Sequence, residues 1–163
     1  MPRSFKARPT TDFAKENLFN VLANRIDLAD NVSALDLFAG TGSISLELLS
    51  RGCQEVVSVE KDRDHFAFIC KIRRELNAEG WKPVHADVFR FLKSGHGLFD
   101  FVFADPPYEL SALDTLPDLV LGSGMLKEGG LFVLEHGKKN VFDAHPHFSG
   151  HRAYGSVNFS FFS

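Results

Sequence analysis

Cysteine is nearly missing from this chain: Cys53 and Cys70 are the only two in 163 residues, and they form no C-x-x-C pair. That excludes a disulfide scaffold and a zinc ribbon, and it points to a reducing compartment. Both lie inside apolar patterns, where a free cysteine acts as a small buried hydrophobe. An excess of positive charge is missing too. Eighteen Lys and Arg against 21 Asp and Glu leave −3 at pH 7, so charge alone cannot wrap naked nucleic acid. No apolar run approaches a membrane span, and "MPRSFKARPT" holds no signal core, so a cytoplasmic protein is expected. There is no internal repeat, low-complexity tract or linker. A single domain over 1–163 is expected, long enough to bury about 70% of its unfolded surface without staples.

What charge there is lies unevenly. Arg3, Lys6, Arg8 and Lys15 face only Asp12 in the first fifteen residues, and Lys71, Arg73, Arg74 and the pair Lys138–Lys139 add basic positions. A solvated face explains most such runs, while the N-terminal cluster leaves a nucleic-acid partner open.

The hydrophobic pattern alternates between two periods. "DFAKENLFNVLANRI" spaces Leu18, Val21, Leu22 and Ile26 as one helical face, with Thr11 or Asp12 as cap. "VSALDLF", "EVVSVE", "WKPVHAD", "LFDFVFAD" and "GGLFVLEHG" read as strands. Between them, "SISLELLSRG" predicts a helix ending on Gly52, "KDRDHFAFICKIRRELNAEG" one closing on Gly80, and "VFRFLKS" a short third. Pro117 predicts a break or late start in "SALDTLPDLVLGSG". The tail "HFSGHRAYGSVNFSFF" alternates about a Tyr-Gly-Ser turn, as an exposed antiparallel hairpin would. Strands alternating with helices imply a parallel sheet covered on both faces, made mixed by the hairpin.

"LDLFAGTGSISLE" is a strand, a glycine turn and a helix start. Gly40 and Gly42 are expected to let the backbone approach a ligand, beside free N–H groups at the helix N-terminus. A dinucleotide fingerprint wants a third glycine at 45, where this chain has Ser45, and Asp36 near the turn would repel a phosphate but suit an ammonium or sulfonium. That disfavours a dinucleotide oxidoreductase. Glu60, 18 residues beyond Gly42, can hold both hydroxyls of a ribose. Asp87 can take an adenine amino group or cap the next helix, and Asp105 closes the fourth strand. Each acid alone suits a cap or turn; together at successive strand ends they converge on one crevice, a nucleoside-cofactor site.

"ADPPYEL" ends the fourth strand. Pro106 and Pro107 cannot donate to a ladder, and a residue before proline is held extended, so Asp105 is fixed at the strand's carboxyl end with Tyr108 just beyond.

These features resemble a class I S-adenosylmethionine-dependent methyltransferase, with "DLFAGTG" as the cofactor loop and "DPPY" as the amino-methylating motif. More closely, "RPTTDFAKENLFN" joined to "LDLFAGTGSISLELLSRG" is similar to the RsmD-like family, which methylates a guanine N2 amino group in 16S ribosomal RNA. The resemblance runs from about Arg8 to the end. It implies a Rossmann-like α/β fold with a mostly parallel seven-stranded mixed sheet, helices on both faces and a C-terminal antiparallel hairpin. It implies S-adenosyl-L-methionine held by Arg8, Thr10, Asp36, Phe38, Gly40, Gly42, Glu60, Lys61, Asp87, Val88 and Asp105. The catalytic set is Asp105, Pro106, Pro107 and Tyr108, with no metal. Arg8 and Thr10 would close over the methionine end. The partner implied is small-subunit ribosomal RNA, within the assembled or assembling 30S subunit, met by a monomer with no membrane association. Family members carry a basic hairpin before Arg-Pro-Thr; here seven residues precede it, so 1–10 is expected to be a shortened basic arm.

In this reading Asp105 and the Pro106 carbonyl accept the two N–H groups of the target amine, freeing its lone pair, while Tyr108 stacks on the base. An adenine-N6 DNA methyltransferase is the runner-up, opposed by the lack of length for a target-recognition domain. A non-catalytic RNA-binding or ribosome-assembly module keeping the fold is the reading from another class. "HPHFSGH" (His145, His147, His151) invites a metal, but no acid or cysteine accompanies it, so a surface loop is expected. Phe66, Phe68, Phe89 and Phe91 are expected in the core, and His136 has no assigned role.

Overall fold

The computed structural model describes residues 11–163; Arg8 and Thr10, expected as a cofactor-side lid, lie outside the described residues. In chain order the elements are α1 (Asp12–Ala23), β1 (Ser33–Leu37), α2 (Ser43–Ser50), β2 (Glu55–Glu60), α3 (Arg63–Leu76), β3 (Trp81–His85), α4 (Val88–Ser94) and β4 (Phe99–Ala104). A 3₁₀ turn over Leu113–Thr115 leads into α5 (Leu116–Gly122), followed by β5 (Leu126–His136), β6 (Phe148–Tyr154) and β7 (Val157–Phe162). One sheet holds all seven strands in the order β3-β2-β1-β4-β5-β7-β6. The first five are parallel, and β7 is antiparallel to both β5 and β6.

Strand alternation sorts the core into two layers. Ala34, Val56, Phe101, Phe103 and Val133 face α1, α2 and α3 through Leu18, Ile44, Leu48 and Ile69. Leu35, Leu37, Val57, Val102 and Phe132 face α4 and α5 through Val88, Leu92, Leu116 and Val120. Burial on both faces explains why these strands read as near-continuous apolar runs. Thr11 caps α1 through its hydroxyl, which accepts from Ala14 N–H at 3.1 Å. Pro83 is tolerated because β3 is an edge strand. Pro117 sits in the first turn of α5, where a missing N–H does no harm, giving the late start its position predicts.

Three expectations are corrected. Helix α3 ends at Leu76 rather than Gly80, because Asn77 takes the left-handed cap conformation (φ 52°) and its N–H returns to Arg74 O. Strand β5 begins at Leu126, with a register irregularity against β4 ahead of the "LFVLEH" run. The tail hairpin is exposed only on its outer strand: β7 inserts between β5 and β6 with all six of its residues buried, while the edge strand β6 stays largely exposed. Its polar members are satisfied by histidines, Ser160 Oγ lying 2.7 Å from His136 Nε2 and Asn158 Oδ1 2.9 Å from His151 Nε2. Cys53 is buried, while Cys70 is half-buried. Among the described residues no helix is long and apolar enough to cross a membrane.

Candidate active site

The sheet reverses its winding between β1 and β4, and ligands of open parallel sheets bind at that point beyond the carboxyl ends. Register brings the site together. Leu37 pairs with Val59 on one side and Ala104 on the other, and Ala104 pairs with Leu134. The next residues of four neighbouring strands, Glu60, Phe38, Asp105 and Glu135, therefore emerge side by side. They line a cleft of about 710 Å³. A separate depression of about 240 Å³, lined by Asp27, Asp30, Asp100 and Glu128, lies at the opposite, amino ends of β4 and β5.

Glu60 is 8% exposed and organises the loop around it. Its Oε1 accepts from Gly40 N–H at 2.7 Å and its Oε2 from Asp62 N–H at 2.9 Å. A carboxylate offers about four acceptor sites, so two backbone donors leave room for a diol. Gly40, at φ 59°, has nothing within 4 Å of the position a Cβ would occupy, so its backbone faces open cleft. Gly42 behaves otherwise. It does not line the cleft, and a Cβ there would meet the Trp81 ring at 2.8 Å. Packing against Trp81 and a left-handed turn (φ 84°) both require glycine there. Phe38 is one of three described non-glycine residues with positive φ (60°), and its ring meets Phe89 edge-on at 6.2 Å. Backbone held in this region is costly and gathers at ligand sites.

Asp36 lies within β1, one residue before its end, and is 1% exposed. Burial, reinforced by the Glu60 charge and opposed by the Ser45 hydrogen bond, pushes its carboxyl from 3.8 up to about 7. A buried chain of donors ends on it: Trp81 Nε1–H to Ser58 Oγ at 2.7 Å, Ser58 and Ser45 hydroxyls 2.5 Å apart, and Ser45 Oγ–H to Asp36 Oδ2 at 2.6 Å. Ser45, expected only as the residue that breaks a dinucleotide fingerprint, is thus the support of Asp36.

Asp87 caps α4, accepting from Arg90 N–H at 3.1 Å, and also lines the cleft. Val88 is buried beneath it in the first turn of α4. Lys61 is exposed at the rim; its carbonyl accepts from His85 Nε2–H at 2.9 Å, and His85 stacks on Phe66 at 4.9 Å. Phe66, Phe68, Phe89 and Phe91 are half-buried; Phe89 and Phe91 pack against the α4-side core as expected, and Phe89 is also a cleft wall.

At the other end of the cleft, Asp105 N–H reaches Leu37 O at 3.2 Å, extending the ladder one residue before the prolines end it. The Pro107 carbonyl accepts from Leu110 N–H at 3.0 Å, whereas the Pro106 carbonyl receives no hydrogen bond among the described residues. Tyr108 donates its hydroxyl to Glu135 Oε2 at 2.8 Å, and its ring abuts Gly137, where a Cβ would lie 3.2 Å away. Sequence reasoning missed Glu135; the signal was an acid ending the apolar run "LFVLEH". His136 does not line the cleft. Its Nδ1 donates to the Gly137 carbonyl at 2.8 Å and burial lowers its pKa, so it is a neutral structural group. The three tail histidines are engaged with Asp118, the Ser163 carbonyl and Asn158, and no metal-binding group occurs among the described residues.

A seven-stranded sheet of this order, with a glycine turn after β1 and D-P-P-Y after β4, defines the Rossmann-like class I methyltransferase fold. The chain belongs to the RsmD family, whose model, described as "Conserved hypothetical protein 95", matches residues 1–163. It is 35% identical over 152 residues to "Putative rRNA methyltransferase YlbH" of Bacillus subtilis, covering 84% of this chain and 78% of that protein. It is 33% identical over 140 residues to "Ribosomal RNA small subunit methyltransferase D" of Escherichia coli, covering 86% and 69%. A solved structure, "Putative methyltransferase yhhF from Escherichia coli", superposes with a TM-score of 0.85 at 29% identity, covering 99% of this chain and 88% of that one. The chain also matches a methyltransferase D of Buchnera aphidicola, over 64% of that relative's length.

Proposed function

We propose that this chain is an S-adenosylmethionine-dependent RNA methyltransferase acting on the N2 amino group of a guanine in small-subunit ribosomal RNA. One observation carries the reading: the Asp105 carboxylate and the uncommitted Pro106 carbonyl stand at the end of the strand beside the glycine turn and Glu60. The relatives named as ribosomal RNA methyltransferases supply the substrate class. In this proposal a monomer meets the target within an assembled or assembling subunit.

The residues fit the cofactor. Open space at Gly40 admits close backbone approach, Glu60 retains acceptor capacity for a ribose diol, and Asp36 offers a carboxylate to an ammonium. Asp87, Val88 and Lys61 form the adenine end. When bound, S-adenosylmethionine supplies an electrophilic methyl group whose leaving group departs as a neutral thioether, so no metal is needed.

The remaining work falls to this chain. An exocyclic amine is a poor nucleophile because its lone pair is delocalised into the ring. Asp105 and the Pro106 carbonyl accept its two N–H groups, which localises the lone pair and aims it. The paired prolines hold that carbonyl rigidly, and Tyr108 stacks on the base, a contact worth about 1–3 kcal/mol. Asp105 takes the proton once the nitrogen is methylated. Most of the acceleration is positioning within a fixed polar frame.

Transfer of a labelled methyl group to free small-subunit RNA, assembled small subunits and duplex DNA tests the reading. Label in guanine N2 of the subunit is expected. Label in adenine, or none despite tight cofactor binding, would overturn it.

A further inference from the structure

The mouth at Tyr108 is ringed by acids. Asp105, Glu109 and Glu135 all line the cleft there, and they repel the phosphates that flank any nucleotide brought to it. The compensating charge lies one residue beyond the tyrosine's contact. Gly137 abuts the Tyr108 ring, and the next two residues are Lys138 and Lys139, both exposed.

Several other surface lysines are already engaged. Lys71, Lys82 and Lys127 are each paired with a carboxylate (Glu75, Glu55 and Asp100), and Lys15 bonds Ser43. Lys138 and Lys139 make no ion pair or hydrogen bond through their side chains among the described residues. Their loop is nonetheless pinned. Phe142 is buried against His136 (ring centroids 5.1 Å apart) and Phe162 (5.7 Å), and Asn140 Nδ2 donates to Asp114 Oδ1 at 2.8 Å. The Asn140 backbone N–H turns back to the Gly137 carbonyl at 3.4 Å. Between these anchors Val141 is 73% exposed, so the loop presents two cations and an apolar contact on a fixed base. An anchored loop holds its charges at a set distance from the acceptor wall, which a flexible tail cannot do.

We propose that the Lys138–Lys139 loop is a phosphate-docking rim that binds the RNA backbone next to the nucleotide held at Tyr108. This rests on the RNA-methyltransferase reading above and deepens it. The ligand chemistry is phosphodiester, contacted through charge, so the rim sets affinity for RNA without touching the reacting amine.

The test compares the unaltered chain with a Lys138→Ala/Lys139→Ala double variant. Lys93→Ala serves as control, on the α4 end that faces the amino rim of the sheet. Methyl transfer to assembled small subunits is measured against RNA concentration at two salt levels, together with cofactor affinity and melting temperature. Each single-stranded phosphate contact contributes about 0.7 to the salt slope, so losing two makes the variant's KM ratio to the unaltered chain shrink about sevenfold from roughly 50 to 200 mM salt. The expected result is a raised, salt-dependent KM with kcat, cofactor affinity and melting temperature unchanged, and no effect of Lys93→Ala. A KM ratio of one at both salts, with the unaltered chain active, overturns the rim and leaves the methyltransferase reading standing. A fall in kcat at constant KM also overturns it, since the lysines would then be acting on the tyrosine wall. An unaltered chain that labels no RNA defeats rim and reading together.

Discussion

Asp36→Asn should stabilise the ligand-free protein at alkaline pH and flatten its pH dependence. Asp36 is buried, and its carboxyl is pushed from 3.8 to about 7, first by burial and then by the Glu60 charge. An acid whose folded pKa lies above its unfolded value holds its proton more tightly when folded. Stability is therefore greatest below 3.8, falls as pH rises to about 7, and is level above that. A rise of about three units at 1.36 kcal/mol each makes the ionised carboxylate cost about 4 kcal/mol, an order-of-magnitude ceiling. Asparagine keeps the acceptor for Ser45 but brings an amide NH₂ that needs its own partners, at about 1–3 kcal/mol if left unmet. That cost is independent of pH, so the difference between variant and unaltered chain isolates the charge. Between about pH 5 and pH 7 it should change by about 2 kcal/mol in the variant's favour, roughly 4–8 °C in melting temperature for a domain of this size. Urea or thermal unfolding of the cofactor-free chains across that range gives the answer. Parallel pH profiles would show that Asp36 is not carrying a costly charge. The same carboxylate must ionise to meet a cationic ligand, so cofactor affinity should rise with pH up to about 7 in the unaltered chain and lose that dependence in the variant.

Asp105→Ala should abolish methyl transfer with cofactor affinity nearly unchanged by calorimetry; a large loss of binding would mean its role lies with the cofactor. Glu60→Ala should weaken cofactor binding about tenfold or more, the loss of a charged hydrogen bond of ~1.5–3 kcal/mol, and an unaltered dissociation constant would remove it from the ribose. Because Glu60 also fixes Gly40 N–H, the same variant should speed amide exchange there. Tyr108→Phe and Glu135→Gln share one hydrogen bond, so their effects on kcat should be non-additive by about 0.5–3 kcal/mol in a double-mutant cycle; strict additivity would show that the contact does not orient the ring. Gly42→Ala should destabilise the fold by about 1–3 kcal/mol through the Trp81 clash and the left-handed turn, as read in unfolding midpoints, without a specific loss of cofactor affinity in the folded fraction.

What the sequence made legible follows from what is local. Period and punctuation mark the elements because each strand and helix must turn its apolar residues to a covered face, and Pro106–Pro107 must end a ladder wherever the fold places them. Glu60, Asp87 and Asp105 could be put on one rim because parallel strands joined through helices all point their carboxyl ends the same way. Register and burial are not local, and there the reading failed. Asp36 looks like its neighbours in sequence, yet lying two residues short of the rim position held by Phe38 on β1 places it under the rim rather than on it, where solvation and not position sets its charge. Gly42 and Gly40 are indistinguishable as letters of a glycine turn; only Trp81, arriving from β3, makes one a packing site and leaves the other to the cleft. Glu135 was hidden because strand β5 enters the rim only through its pairing with β4, and β7 was misjudged because alternation predicts one open face, while core side chains on both sides of the sheet cover Val157, Phe159 and Phe161 on one face and Phe162 on the other. The acceptor end is therefore the least legible part of the site: Tyr108 is visible in D-P-P-Y, but Glu135, Gly137 and the lysines beyond come to it through tertiary pairing. On the reading proposed above, a variant series confined to D-P-P-Y would therefore leave Glu135, Gly137 and the lysines beyond them unprobed.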